Sequence, residues 1–453
     1  MSTIVAISTA PGNSGIGIVR MSGKECISIL EKIFCPVNNG EIKGYTIKYG
    51  HIIDEKKEVI DEVLVSFFLA PKSYTGENMC EINSHGNNIV LKKILDLCIA
   101  NGAELAEAGE FTKRAFINGR IDLLQAESVI DIINSKSELE RKAAVKGLEG
   151  ELSKEIKGIK AKILDILTDV DASIDYPEYD IDERSGEQII KEANKIKENL
   201  EILENSFERG RILRDGVSVA IVGKPNAGKS SLLNKILKEE RAIVTDIEGT
   251  TRDTIEEFVN IKGVPFKIID TAGIRKADNE IEKIGIDKSK KALREADLII
   301  AIFDISKELS EEDIDILKSI KEKNSIILLN KKDLNMQILD KEKFKEYSNN
   351  ILEVSIKENE GIEEIYSKMV DIFSFKEIET DNTSIITNIR HKQAIKNAKD
   401  NVIKAIEIIK DMMPVDITAI CLKQAIEEIN KITGENVTED IINEIFSKFC
   451  LGK

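Results

Sequence analysis

The chain has 453 residues, 42% of them hydrophobic and 32% charged, with a net charge of −16 at pH 7. That balance fits a soluble globular protein of two to four domains, and an acidic chain of this kind has to hold any nucleic acid through a local basic patch. No apolar run approaches the ~18 residues of a membrane-spanning helix.

Other coarse features agree. Met1–Arg20 lacks a basic segment followed by an apolar stretch, so no signal peptide is expected. The six cysteines (26, 35, 80, 98, 421 and 450) are scattered without a Cys-x-x-Cys pair, which points to reduced thiols in a cytoplasm. Aromatic residues make up 5% and Trp is missing, so the cores have to be built from Ile, Leu, Val and Ala.

In chain order, residues 1–118 mix short strand-like runs with glycine turns. Ile4 to Ile7, Gly17 to Arg20 and Val63 to Phe68 read as strands, and Ile89 to Ala100 as a helix, giving an α+β domain. Residues 119–214 carry apolar residues at three- and four-residue spacing, as in Ile159, Ile163, Ile166 and Val170, the pattern of long amphipathic helices. Tyr176-Pro177 interrupts them once. Residues 376–453 repeat the helical character, with Ile403, Ile406 and Ile409 and then Ile417, Ile420 and Leu422. The two helical zones are expected to form one domain into which residues 215–375 are inserted.

That inserted block alternates strand and helix. Val217 to Val222, Phe266 to Ile269, Leu298 to Phe303, Ser325 to Leu329 and Leu352 to Val354 are continuous apolar runs, as expected of strands covered on both faces. The fold class is therefore α/β with α: a doubly wound, mainly parallel sheet inside a helical domain, preceded by an α+β domain.

The chemistry is concentrated in the insert. Gly223-Lys224-Pro225-Asn226-Ala227-Gly228-Lys229-Ser230 fits G-x-x-x-x-G-K-[ST] between a strand and a helix. Its glycines let backbone N–H groups face phosphate oxygens, and the helix that opens at Lys229, Ser230 and Ser231 adds a positive dipole end. Lys229 is expected to reach the β- and γ-phosphates, and Ser230 to bind Mg²⁺. Asp270-Thr271-Ala272-Gly273 ends a strand, with Asp270 placed for the Mg²⁺ shell and the Gly273 N–H for the γ-phosphate. Thr245-Asp246-Ile247-Glu248-Gly249-Thr250-Thr251 lies where a switch loop belongs, with Thr251 as second Mg²⁺ hydroxyl.

Asn330-Lys331-Lys332-Asp333 supplies a carboxylate that accepts two hydrogen bonds from guanine, a pair adenine does not offer. This reads as a GTP site rather than an ATP site. Ser355 completes the base pocket, although Ile356 stands where such proteins usually carry Ala. Ile274 occupies the region where Ras-like enzymes place a water-orienting Gln. Another polar group has to orient the water, and a monovalent cation held by Asn226 and carbonyls of the Thr245–Thr250 loop would sit where charge builds up between the β- and γ-phosphates.

Features outside these motifs give the set a family resemblance. The chain ends Cys450-Leu451-Gly452-Lys453, opens with Pro11-Gly12 and Gly15 to Arg20, and carries Ser73 to Glu77, Gly109 to Phe116 and Asp122 to Glu127. In these it resembles the MnmE (TrmE) family of bacterial tRNA modification GTPases. The resemblance implies an N-terminal domain that binds 5-formyl- or 5,10-methylene-tetrahydrofolate through Arg20, Glu81, Arg120 and Lys453, and that forms a homodimer. It implies a K⁺ site at Asn226, Thr245, Ile247 and Thr250, and Glu282 as the group that orients water, acting with Lys229, Thr251 and Gly273. It further implies a flavin-dependent partner, MnmG (GidA), in a heterotetramer. With that partner an aminomethyl or carboxymethylaminomethyl group is added at C5 of a tRNA wobble uridine, and Cys450 is a candidate thiol in the chemistry. Shielding of the switch loops predicts transient pairing of the GTPase domains. The rival reading is a ribosome-associated or signalling switch that shares only the GTPase domain.

His51, His85 and His391 have no ligand-spaced partners, so zinc is not expected. Lys113, Arg114 and Arg120, and separately Arg390, His391, Lys392 and Lys396, form basic clusters that are candidates for tRNA phosphates.

Overall fold

The computed structural model describes residues 1–38, 40–175, 186–239, 257–269, 293–334, 338–373 and 385–452. They form two compact units: Met1–Ile130 with Lys146–Lys197 and Asn397–Lys453, and Asp131–Val145 with Glu198–Lys396.

The first unit begins with β1 (Ile4–Ile7), β2 (Ser14–Ser22), α1 (Cys26–Ile33), β3 (Phe34–Pro36), β4 (Thr46–Ile53), β5 (Val59–Phe68), β6 (Met79–Gly86), α2 (Asn88–Ala100), β7 (Glu104–Leu105) and α3 (Glu110–Ile117). Seven strands lie in the order β3-β4-β5-β6-β2-β1-β7. Alternation sets the faces: Val63, Val65 and Phe67 of β5 turn inward with Val19, Met21 and Ile82 against Ile29, Leu30, Leu91 and Ile94 of the two helices. Helix α2 starts where the Asn87 side chain accepts from the Ile89 N–H, satisfying one of the orphan donors of its first turn. Phe67 is fully buried, and its replacement by Ala would cost about 3–5 kcal/mol.

Then come α4 (Leu123–Asn134), α5 (Glu138–Glu149), α6 (Glu151–Asp175) and α7 (Gly186–Asp215). The stripe Ile156, Ile159, Ile163, Ile166 and Val170 of α6 is buried, as its spacing predicts.

The second unit contains β8 (Val217–Val222), α8 (Lys229–Glu239), β9 (Glu257–Ile261), β10 (Val264–Ile269), β11 (Leu298–Asp304), α9 (Glu311–Ile320), β12 (Ser325–Asn330), β13 (Ile351–Val354) and α10 (Ile362–Asp371). The sheet order is β13-β12-β11-β8-β10-β9. The pairs are parallel apart from β9, which lies antiparallel to β10. Successive residues of β11 and β12 serve opposite faces. Ile300, Ile302 and Leu328 join Leu232, Ile236, Ile365 and Met369 in one core. Ile299, Ala301, Phe303 and Leu329 join Leu317 and Ile320 in the other. A sheet covered on both faces explains why these runs are continuously apolar. The antiparallel β9 was not read from the sequence, because Phe258 and Val259 sit among polar neighbours.

The chain closes with α11 (Ile389–Lys410), α12 (Val415–Thr433) and α13 (Glu439–Ser447). Within the first unit α12 packs along α6, with Lys423 paired to Asp171 at 3.2 Å and Lys160 paired to Glu435. Within that unit the two helical zones meet through this pair of helices. Phe446 of α13 and Phe449 just beyond it bury against Ala115 and Leu123, which anchors the C-terminal segment.

Candidate functional site

β8 ends at Val222 and the chain turns at once. Gly223 has φ +149°, and a Cβ there would lie 2.4 Å from the Ile302 carbonyl oxygen. Gly228 has φ +117°, and its Cβ would lie 2.3 Å from Asn330 Nδ2. Neither position accepts a side chain. Asn226, at φ +63°, is left-handed without being glycine, a conformation Asn tolerates better than most residues. Ala227 is buried, whereas Ser230 and Ser231 are exposed on the first turn of α8. The Lys229 ammonium donates to the carbonyls of Gly223 at 2.6 Å and Lys224 at 2.7 Å. Burial holds its pKa below the usual lysine value. A half-desolvated cation beside the N-terminus of a helix is built to gain from an anionic ligand.

The other wall comes from the ends of β11, β12 and β13, the carboxyl edge where doubly wound sheets bind ligands. Asn330 is buried; its amide donates to the Ala227 carbonyl at 2.7 Å, and its oxygen accepts from the Ile356 N–H at 3.1 Å. The change from Ala to Ile at this position leaves that backbone donor in place. Lys331 stands at φ +73° with its ammonium 2.6 Å from Asp304. The Ser355 hydroxyl donates to Asp333 at 2.6 Å, and that bond holds the exposed carboxyl below the usual range. The Ser355 bond thus favours the charged, hydrogen-bond-accepting form of Asp333. Thr245, Ile247, Thr250, Thr251, Asp270, Thr271, Ala272, Gly273 and Glu282 lie outside the described residues.

A second site is built in the first unit. Arg20 on β2 faces Glu81 on β6 across the ladder, with Nη2 2.8 Å from Oε1. Its Nη1 donates to the Gly452 carbonyl at 3.1 Å, and its guanidinium lies 5.7 Å from the Phe111 ring and 5.9 Å from that of Tyr74. Arg120 lies 4.9 Å from the other side-chain contact of this group, the same Tyr74 ring. The tail is tied down: Ser8 donates to the Gly452 carbonyl at 3.1 Å, and the Gly109 N–H to that of Cys450 at 3.4 Å. Gly452 (φ +87°) approaches Ile7 so closely that a Cβ would lie 2.6 Å from its carbonyl oxygen. Arg20, Glu81 and Arg120 are brought together, Cys450 is exposed nearby in sequence to Gly452, and Lys453 lies outside the described residues. Tyr74 and Phe111 carry no functional signal of their own in the sequence, although both sit inside the Ser73–Glu77 and Gly109–Phe116 stretches.

Two basic readings change. Arg114 is buried between Glu77, at 3.1 Å, and Glu110, at 2.7 Å, so it braces the domain and is not open to phosphates. His391 is buried beside Arg390, whose Nη2 lies 2.8 Å from its Nε2, and Lys392 pairs with Glu208 at 3.3 Å. His85, without a ligand-spaced partner in the sequence, has Nδ1 2.8 Å from Asp61 Oδ1, and this hydrogen bond raises its pKa. Among the described residues no cluster of three or more His, Cys, Asp or Glu is arranged to hold a metal ion.

A glycine loop and ammonium at the carboxyl edge of a parallel sheet, joined through Asn330 to the strand-end loop that follows Ser355, the hydroxyl partner of Asp333, define the class of P-loop GTPases. Residues 123–450 match the family model described as MnmE helical domain, and residues 3–120 that described as GTP-binding protein TrmE N-terminus. Proteins named tRNA modification GTPase MnmE from Clostridioides difficile and Thermoanaerobacter pseudethanolicus are 47% and 50% identical to this chain, each over 100% of it and 99% of their own length. The chain belongs to the MnmE family of tRNA modification GTPases. Among solved structures, the G domain of the Thermotoga maritima FeoB iron transporter matches at 24% identity, covering 34% of this chain and 98% of that one, with a TM-score of 0.27. Aquifex aeolicus Era matches at 23%, covering 41% and 66%, with a TM-score of 0.26.

Proposed function

We propose that this chain hydrolyses GTP in a potassium-stimulated cycle that drives modification of the wobble uridine of certain tRNAs. The group added at C5 is aminomethyl or carboxymethylaminomethyl, and the flavin-dependent MnmG (GidA) is the partner. The observation that carries the nucleotide reading is Asn330, whose one side chain joins the phosphate loop at Ala227 to the base wall at Ile356.

The residues present fit the groups the reading requires. The glycine turn at Gly223 and Gly228, which leaves its backbone bare of side chains, and the inward Lys229 suit a phosphate chain, and the exposed Ser230 hydroxyl at the start of α8 suits Mg²⁺ with Thr251. Mg²⁺ when bound offsets charge on the β- and γ-phosphates. Asn226 is exposed at the loop's apex and carries a carboxamide oxygen, the hard donor K⁺ takes, to be joined by Thr245, Ile247 and Thr250. Lys229 holds the phosphates, Asp333 selects guanine, and Glu282 orients the water. Arg20, Arg120 and Glu81 beside two aromatic rings suit a reduced folate, a flat ligand with polar ring edges and a glutamate carboxylate, together with Lys453. A bound 5-formyl- or 5,10-methylene-tetrahydrofolate supplies the one-carbon unit, and Cys450 is the nearest thiol in sequence.

The outer face of the N-terminal sheet exposes Ile47, Tyr49 and Leu64 at 65%, 44% and 48%. Tyr49 and Leu64 are register partners. Such an apolar row on a sheet face supports a homodimer through this domain; the GTPase domains pair transiently. No described helix is long and apolar enough to cross a membrane, and a cytoplasmic location follows from the tRNA substrate.

Mass spectrometry of wobble uridines in cells that lack the chain tests this reading. The modified base should vanish, return with the wild-type gene, and fail to return with Glu282→Ala. Unchanged modification in the deletion strain would remove the assignment.

A further inference from the structure

Lys224 is the second residue of the glycine loop, between Gly223 and the left-handed Asn226. Its carbonyl accepts from the Ala227 N–H at 3.3 Å and from the Lys229 ammonium at 2.7 Å. Its own ammonium reaches out of the loop to Asp313 Oδ2 at 2.8 Å. Asp313 is buried on the first turn of α9, where Oδ2 also accepts from the Ser310 N–H and hydroxyl, both at 3.0 Å. The Ser310 hydroxyl in turn accepts from the Asp313 N–H at 3.4 Å. A capping box needs only a neutral acceptor at this position. A buried carboxylate is costlier than an amide unless a cation repays it, and Lys224 is the cation supplied.

Burial pushes the Asp313 carboxyl upward, but the bonds from Lys224 and Ser310 outweigh it and leave the group below the ordinary carboxylate value. The carboxylate therefore keeps the charge that pairs with the Lys224 ammonium.

We infer that Asp313 is a positioning residue for the phosphate loop: through Lys224 it fixes the turn whose carbonyl accepts from the Ala227 N–H and the Lys229 ammonium, and so sets where that ammonium stands for the nucleotide phosphates. This rests on the loop being the GTP site. The device acts equally on GTP and GDP, because it sets the shape of the cradle and touches neither nucleotide.

The test is titration of the full chain with N-methylanthraniloyl-GDP and with a non-hydrolysable GTP analogue, beside steady-state GTPase assays. Asp313→Asn keeps an acceptor for the Ser310 cap and removes the charge. It should weaken both nucleotides together by about three- to tenfold and raise KM, while kcat falls by less than about twofold. Asp313→Glu should restore part of the affinity, and Lys224→Met should match Asp313→Asn without adding to it in the double variant. Unchanged affinity in a variant with a lowered Tm would reduce Asp313 to a helix cap. Tighter GDP binding would mean that it only restrains the Lys224 ammonium. Either result overturns the inference. Failure of the wild-type chain to bind the probe would instead overturn the reading of the site.

Discussion

The Asn330 amide donates to the Ala227 carbonyl across 2.7 Å, although the two residues are 103 positions apart in the chain. The same side chain accepts from the Ile356 N–H, so one buried carboxamide closes a bond from each wall of the pocket. Asn330→Ala orphans both partners. Each buried unpaired group costs about 1–3 kcal/mol, so calorimetry should show guanine-nucleotide affinity lowered by at least about tenfold together with a lower Tm.

Glycine positions separate conformation from composition. Gly228→Ala places a methyl 2.3 Å from Asn330 Nδ2 at φ +117°, and nucleotide titration should show binding reduced by more than about tenfold. Gly158→Ala in α6 meets open space within a helix and should raise stability by up to about 1 kcal/mol in a denaturant melt.

Arg20 holds together the second site. Arg20→Ala leaves the buried side of Glu81 without its partner and removes the donor to the Gly452 carbonyl. Calorimetric titration with 5-formyl-tetrahydrofolate should show at least a tenfold loss, about 1.4 kcal/mol. Limited proteolysis should then release the C-terminal residues sooner than in the wild type.

Glu140, in α5, gives a pH dependence of known sign. Burial and the nearby Asp131 raise its carboxyl to about 7 against the Lys136 N–H, which donates to it at 2.6 Å and lowers it. Folding therefore favours the protonated form. Its contribution is full below the ordinary glutamate value, about 4.3, and is lost as pH rises through about 7. Glu140→Gln keeps an acceptor without the charge, so it should gain Tm relative to wild type at pH 8 and not at pH 5. Parallel shifts at both pH values would contradict this.

Much of this architecture was legible in the residues. Continuous apolar runs gave the strands of the doubly wound sheet, since burial on two faces leaves no polar alternation, and three- and four-residue spacing gave α6 and α12. The glycine loop and the Asn330–Asp333 stretch stand out in the sequence because the chemistry proposed for them needs fixed residue types at fixed spacing. Three kinds of contact were not. The strand β9 is five residues long, and Glu257 and Asn260 keep its apolar residues from forming a continuous run. Arg114 looked like part of a basic surface until Glu77 and Glu110 closed on it, pairs that only the tertiary fold creates. The Lys224–Asp313 tether joins a loop to a helix far along the chain, and neither residue type is unusual at its place.

The most direct test of the account is competition binding of GDP, ADP and XDP to the wild-type chain and to Asp333→Asn. Xanthine carries an oxygen where guanine carries its amino group, so an amide at 333 can donate where the carboxylate could only accept. The wild type should prefer GDP over ADP by at least about a thousandfold, and the variant should lose GDP and gain XDP. Equal binding of GDP and ADP by the wild type, or an unaltered GDP preference in the variant, would contradict the assignment of the site.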